Sequence, residues 1–215
     1  MSLAVGLAAG LRELGLGLDE ARQQQLLAYL DLLAKWNKVY NLTAVRDPAE
    51  MLTHHLLDSL AVIEPLRRRT GGAAARVLDV GSGGGLPGVV IAICCPQLQV
   101  DCVDTVGKKA AFIQQAAVQL QLPNLRGVHD RAEKLAGQYE VITSRAFATL
   151  ADFVAVSRET LEAQGLWMAM KGKHPDAELA SLPGDVAVVE IEPLRVPGLG
   201  AERCIVWMRQ AAAGA

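Results

Sequence analysis

A short apolar strand running into a glycine-dense turn constrains this chain more than any other feature. Val77-Leu78-Asp79-Val80 leads into Gly81-Ser82-Gly83-Gly84-Gly85-Leu86-Pro87-Gly88, and the apolar run Val89-Val90-Ile91-Ala92-Ile93 follows. A second apolar strand, Leu98 to Val103, ends at Asp104. This is the order of an opening βαβ unit in a nucleotide-binding α/β domain. Its glycines let the backbone turn tightly and approach a ligand, because no Cβ stands in the way. Four of the five residues from Gly81 to Gly85 are glycine, and each weakens the fold unless its freedom is used. A turn with no ligand is therefore a poor account of the stretch.

Gly83-x-Gly85-x-x-Gly88 matches the dinucleotide fingerprint literally, but such a match alone is weak. Asp79 decides the matter. A pyrophosphate is anionic and prefers helix N–H groups to a neighbouring carboxylate. S-adenosylmethionine carries an ammonium and a sulfonium, and a carboxylate stabilises both. Asp79 with the Gly81 and Gly83 turn therefore favours S-adenosylmethionine over NAD. Asp104, at the end of the second strand, stands where a carboxylate accepts hydrogen bonds from a ribose.

The chain has 215 residues, 51% of them apolar, enough for one large α/β domain with a small extension. Its apolar runs are too short to span a bilayer, and no basic residue precedes the apolar start. A cytoplasmic protein without membrane association is expected. Cys94, Cys95, Cys102 and Cys204 show no metal-ligand spacing and read as small buried hydrophobes, so no metal is expected. A formal net charge of −2 argues mildly against a nucleic-acid binder but leaves room for a local basic patch. Arg67-Arg68-Arg69 and Lys108-Lys109 are the two basic clusters, and each also reads as a solvated helix end.

Residues 1–70 read as a helical cap. A helix spans Leu3 to Leu14. Asp19 caps a longer one, with Leu26, Leu27, Leu30 and Leu33 on its buried face, running to about Trp36. The pattern breaks from Asn37 to Arg46. Asp47-Pro48-Ala49-Glu50 then restarts a helix with a capping box, and its core face is Leu52, Leu56, Leu60 and Ile63. His55, Asp58 and Ser59 fall on one polar side of that helix. Gly71-Gly72 marks a linker.

Residues 71–210 alternate strand and helix. Strands are expected at 76–80, 99–104, 125–129, 140–144 and 166–170. Helices are expected at about 88–95, 108–120, 131–135 and 149–162. Two further strands, Val186 to Ile191 and Cys204 to Met208, form a hairpin with an antiparallel edge strand. The fold class is α/β: a doubly wound, seven-stranded, mostly parallel Rossmann-like sheet with an N-terminal helical extension. Residues 211–215 read as a frayed, disordered tail.

These blocks together resemble one family. They are Lys35-Trp36-Asn37-Lys38, Asn41-Leu42-Thr43, Arg46-Asp47-Pro48, His55-Leu56-Leu57-Asp58-Ser59, the Leu78–Gly88 stretch, Ser144-Arg145-Ala146-Phe147 and Lys171-Gly172. The chain is similar over nearly its whole length to the 16S ribosomal RNA guanine-N7 methyltransferases, also called the glucose-inhibited division protein B family. The paired Cys94-Cys95 departs from the expected pattern, in a helix body. The resemblance implies S-adenosylmethionine as cofactor and 16S ribosomal RNA, or the small subunit, as partner. It implies cofactor contacts at Gly81, Leu86, Ala132, Glu133 and Arg145, an RNA-facing cap, and an RNA-site role for His55. The strand pattern agrees, since Gly81, Asp104, Ala132-Glu133 and Arg145 all follow strand ends, where ligands of parallel sheets bind. Arg145 also reads as a helix-capping surface arginine, and His55–Asp58 as a structural hydrogen bond. Trp36 and Tyr40 read as core residues.

Asn41, Arg46, His55, Arg131 and Lys171 are the RNA-side candidates. Arg145, Lys171, His55 and Asn41 are the residues expected at the reacting centre. Guanine N7 has a free lone pair, so no general base is demanded, and in-line positioning carries the chemistry. Arg145 or Lys171 suits the guanine O6 or a phosphate better than an acid or base role. No feature demands more than a monomer. The alternatives are an NAD-dependent oxidoreductase, for which no Tyr-Lys or His pair stands out, and a non-catalytic RNA-binding assembly factor on the same fold.

Overall fold

The computed structural model describes residues 2–145 and 147–211. The expected tail lies, from 212 onward, outside the described residues. Helix α1 (Leu3–Glu13) opens the chain, and α2 (Glu20–Tyr40) follows, with Asp19 accepting a hydrogen bond from Arg22 N at 2.8 Å. Leu26, Tyr29, Leu30 and Leu33 recur at helical spacing and are buried. The helix runs one turn past Trp36. Its last turn, with Val39 and Tyr40, faces solvent, so the apolar periodicity lapses before the helix does. It closes at Asn41, which adopts the left-handed conformation at φ 50°. The expected break at Asn37 is instead a buried anchor. The Asn37 amide donates to Val45 O at 3.1 Å and accepts from Thr43 N at 2.9 Å, which ties down the next loop.

Asp47 caps α3 (Pro48–Met51) through hydrogen bonds from Ala49 N and Glu50 N. A π-helix (Leu52–Leu57), α4 (Asp58–Leu60) and α5 (Ile63–Thr70) continue the path. The polar side expected for this segment is not exposed: His55, Asp58 and Ser59 are all buried with the leucines. Only Thr53 and His54 of Met51–Leu60 reach solvent, and Gly6 and Gly10 of α1 sit directly against Leu52 and Leu57. An i→i+5 turn also widens the helix just before Asp58 and shifts its phase from the 3.6-residue period.

The sheet comprises β1 (Arg76–Val80), β2 (Gln99–Asp104), β3 (Leu125–His129), β4 (Tyr139–Arg145), β5 (Leu161–Lys171), β6 (Val186–Leu194) and β7 (Arg203–Gln210). Its order is β3-β2-β1-β4-β5-β7-β6. The first five strands pair in parallel and are linked by α6 (Gly88–Cys94), α7 (Gly107–Gln119), a 3₁₀ turn (Ala132–Lys134) and α8 (Leu150–Ser157). A 3₁₀ turn (Arg158–Thr160) leads into β5, and α9 (Asp176–Leu179) precedes β6. The expected helix at 131–135 is that short 3₁₀ turn, and the one at 149–162 ends earlier because β5 begins at Leu161. The antiparallel strand is not at the edge, as expected, but inside. Strand β7 inserts between β5 and β6, antiparallel to both, so the edge strand β6 runs parallel to β5. Apolar Ile205 to Met208, buried on both faces, need that interior place, whereas β6 carries exposed Val188, Val189 and Glu190.

Strand order reverses between β1 and β4. A doubly wound sheet opens a crevice at that point, beyond the strands' carboxyl ends. The cap helices are not a detached unit. Leu7, Leu26, Leu33, Leu56 and Leu60 belong to the same apolar cluster as Val77, Ile91, Ile113 and Trp207. All four cysteines are buried and free. Among the described residues no helix is long and apolar enough to cross a membrane.

The glycine turn is packed from below. Gly88 N donates to Asp79 Oδ2 at 2.9 Å, and a Cβ at Gly88 would collide with Cys102 Sγ and stand 2.8 Å from Asp79 Oδ2. Gly88→Ala should lower unfolding stability by about 1–3 kcal/mol, the usual cost of overpacking. Gly17, with open space around its Cβ position, is the control, and Gly17→Ala should shift stability by no more than about 0.5 kcal/mol. Denaturant midpoints measure both.

Candidate active site

A cleft of about 530 Å³ lies at the carboxyl ends of β1, β2, β3 and β4. Gly81 follows β1, Asp104 ends β2, Ala132 and Glu133 follow β3, and Arg145 ends β4; all line it. A second, smaller cavity of about 160 Å³ opens between the cap and the glycine turn. Leu33, Leu42 and Thr43 form its cap side, and Gly81 to Gly84 with Leu86 its sheet side. Gly81 and Arg145 line both cavities, so they stand at the seam.

The cap reaches the turn directly. Tyr29 OH donates to Gly84 O at 2.5 Å. Leu33 packs so closely that a Cβ at Gly84 would stand 2.9 Å from its Cδ1. Gly81 differs: its φ is +67°, and a Cβ there would meet nothing nearer than the Phe147 ring at 3.8 Å. Its side toward the cleft is open, as a ligand cradle requires.

The carboxylates fall into distinct environments. Asp104 accepts from Gly83 N at 3.0 Å and Val106 N at 2.8 Å, and Lys109 Nζ stands 3.4 Å from its Oδ2. It therefore braces the glycine turn as well as lining the cleft. Glu133 is exposed at the cleft's β3 side beside buried Ala132. Asp79 is fully buried beneath the turn. Its Oδ2 holds Gly88 N, while its Oδ1 has no hydrogen-bond partner. Burial pushes its pKa up to about 7, against the opposing pull of the Gly88 N–H and Arg145.

The RNA-side candidates divide. Arg131 lines the main cleft and is exposed. Asn41 and Arg46 meet each other, Arg46 Nη2 donating to Asn41 Oδ1 at 3.0 Å on the exposed end of the cap. His55 is buried. Its Nε2 lies 2.6 Å from Thr43 Oγ1, its Nδ1 has no partner, and burial lowers its pKa to about 4. It is neutral at physiological pH, and it binds Thr43 rather than Asp58. Lys171 is the last residue of β5. Its Nζ donates to Glu178 Oε2 at 2.7 Å and to Phe147 O at 3.3 Å. The same Glu178 oxygen accepts from Leu150 N, so Lys171 secures the segment that carries Phe147 and does not line either cavity.

Phe147, Lys109, Asp130 and Thr43 also line the cavities, although none of them reads from the sequence as a site residue: Lys109 reads as part of a basic cluster, and Thr43 and Phe147 only as members of the resemblance blocks. The signal for Lys109 was present: it lies in the first turn of the helix after Asp104, within reach of that carboxylate. The Arg67-Arg68-Arg69 cluster is structural. Arg67 donates to Cys94 O at 2.9 Å, and Arg68 and Arg69 pair with Glu192 and Glu190 of β6. It docks α5 on the hairpin and is neither a free patch nor a simply solvated end.

The comparisons agree with this geometry. The family model described as rRNA small subunit methyltransferase G matches residues 22–206. A protein of Acidovorax ebreus (strain TPSY) named "Ribosomal RNA small subunit methyltransferase G" is 64% identical over 219 residues, covering 98% of this chain and 97% of its own. Among solved structures, the glycopeptide N-methyltransferase MtfA superposes with a TM-score of 0.59 at 14% identity, over 72% of this chain and 90% of its own. TrmN from Thermus thermophilus gives 0.57 at 16% identity, over 74% and 53%. At such identities these two show the fold alone, that of Rossmann-like methyltransferases. The residue patterns, the cleft at the strand switch and the family match converge, and the chain belongs to the GidB family of rRNA small subunit methyltransferases G.

Proposed function

We propose that this protein transfers a methyl group from S-adenosylmethionine to N7 of one guanine in a loop of 16S ribosomal RNA. We further propose that it acts in the cytoplasm as a monomer. The observation that carries the reading is the cleft at the β1/β4 switch, lined by the motif residues Gly81, Ala132, Glu133 and Arg145. Family membership sets the NAD-dependent alternative aside.

The residues present fit the cofactor. The cradle above Gly81 is one a side chain would fill. Asp79, expected at the ammonium, is instead fully buried and lines neither cavity, so it supports the glycine turn from below through Gly88 N. Asp104, Ala132 and Glu133 would hold the adenosine end. Gly81, Gly83, Leu86 and Arg145 would hold the methionyl end, with Asp79 beneath. When bound, S-adenosylmethionine supplies an electrophilic methyl group. The chain supplies position: the walls of the cleft orient the acceptor, and Phe147 narrows access beside Gly81. Because guanine N7 carries its lone pair at neutral pH, no residue need remove a proton. His55, neutral and bonded to Thr43, serves the cap loop at the second cavity rather than acid–base transfer. Asn41, Arg46 and Arg131 remain exposed for RNA, and a loop base can be splayed toward the cleft at modest cost.

RNA carrying 7-deazaguanine at the target should bind yet receive no methyl group, because it lacks the N7 lone pair while most affinity comes from phosphates and loop shape. Methyl incorporation into that RNA would move the acceptor to another atom. Binding of normal RNA without consumption of S-adenosylmethionine would favour an assembly factor. On normal RNA the single-turnover rate should stay flat across the histidine range, and a steep rise there would make His55 a base.

Asp79 gives a separate test. Its pKa is raised on folding, from 3.8 to about 7, so the folded state holds the proton more tightly than the unfolded chain. Its stabilising contribution is complete below pH 3.8 and is lost as pH rises through about 7. Asp79→Asn keeps an acceptor for Gly88 N but does not titrate. Without cofactor, the wild-type protein should therefore lose stability relative to the variant across that window, read as unfolding midpoints. Parallel profiles would remove the buried carboxyl from the account.

A further inference from the structure

Asp58 receives two arginines from opposite sides. Its side chain is 3% exposed, and each carboxylate oxygen takes one guanidinium. Arg145 Nη1 stands 3.1 Å from Oδ2, and Arg203 Nε stands 2.9 Å from Oδ1. Arg145 ends β4 and Arg203 begins β7, with β5 between them. The contact thus joins the cap to two non-adjacent strands across the end of β5.

Arg145 lines both cavities, whereas Arg203 lines neither. Among the described residues, the Arg145 guanidinium hydrogen-bonds through Nη1, to Asp58 and to His54 O at 3.0 Å. Arginine has five donors in a planar fork, so this single-edge attachment leaves others for a ligand. A carboxylate facing one guanidinium prefers the bidentate pairing, with both oxygens engaged. Arg203 prevents that by occupying Oδ1. Without Arg203 the buried carboxylate would lose half its compensation and draw Arg145 into a two-point clamp, away from the cavities.

We infer that Asp58 and Arg203 are positioning residues, which hold the Arg145 guanidinium at the seam between the two cavities with its remaining donors free. The inference rests on the cofactor reading of that cleft. It joins the cap to the methyltransferase sheet through one charged contact, and it gives Arg203 a role in cofactor affinity although it touches neither cavity.

Calorimetry of S-adenosylmethionine on the full chain tests this through a double-mutant cycle. Arg203→Gln should raise Kd about tenfold, and Arg203→Lys, which keeps a cation at Oδ1, should stay within about threefold of wild type. Arg145→Ala should also weaken binding, and adding Arg203→Gln to it should change Kd by less than about twofold, because the residue to be positioned is gone. A structural role alone would lower the thermal midpoint without this coupling. Wild-type affinity in folded Arg203→Gln, or effects that simply multiply in the double variant, would overturn the inference. If Arg203→Gln does not fold, Asp58→Asn takes its place in the cycle with the same expectations. Wild-type protein that fails to bind S-adenosylmethionine would overturn the proposed function itself.

Discussion

The hydrogen bond from Gly88 N to the buried Asp79 carboxylate sits where the end of β1, the glycine turn and the first turn of α6 converge. No side chain fits at Gly88, because Cys102 of β2 and Asp79 of β1 occupy the space a Cβ would need. That close approach lets α6 start directly over the sheet and leaves the turn from Gly81 to Gly85 projecting past the strand ends. Asp104 then braces the turn from β2, and Tyr29 and Leu33 brace it from the cap. The cleft is what remains open among these supports. Its floor is rigid because three separate elements hold one short glycine segment.

Charge is arranged with the same economy. The chain's net charge of −2 conceals a sorting of its cations. Arg68, Arg69, Arg126 and Arg158 are paired with carboxylates on strands or turns away from the cleft. Arg131 faces the cleft, and Arg46 lies at the cap end near Leu42 and Thr43 of the second cavity. A weakly acidic protein can present basic groups to RNA if its other arginines are already engaged in packing.

Much of this was legible from the sequence, for identifiable reasons. The central parallel strands β1 and β4 read clearly because both faces are buried, and the caps at Asp19 and Asp47 read clearly because a carboxylate before an apolar repeat has few other uses. The cleft residues Gly81, Asp104, Ala132, Glu133 and Arg145 followed from strand ends together with the family resemblance. What the sequence hid was long-range. Nothing local marks β7 as an insertion between β5 and β6. A π-turn leaves no periodic trace, so His55 and Asp58 looked exposed although both are buried. Lys171 looked like a free cation, but its partner Glu178 lies beyond a turn whose path a linear reading does not supply. Arg203, 145 positions from Asp58, carried no signal at all.

The central claim is that S-adenosylmethionine lies in the cleft with its methionyl end at the seam between the two cavities, held by Gly81 and Arg145. Hydrogen–deuterium exchange with and without S-adenosylmethionine tests it most directly. Protection is predicted in the segments around Gly81 to Leu86, Asp104 to Val106, Arg131 to Glu133 and Arg145, with the edge strand β6 unchanged. Protection confined to the β2–β3 side, leaving Gly81 to Leu86 and Arg145 as in the free protein, would contradict the account.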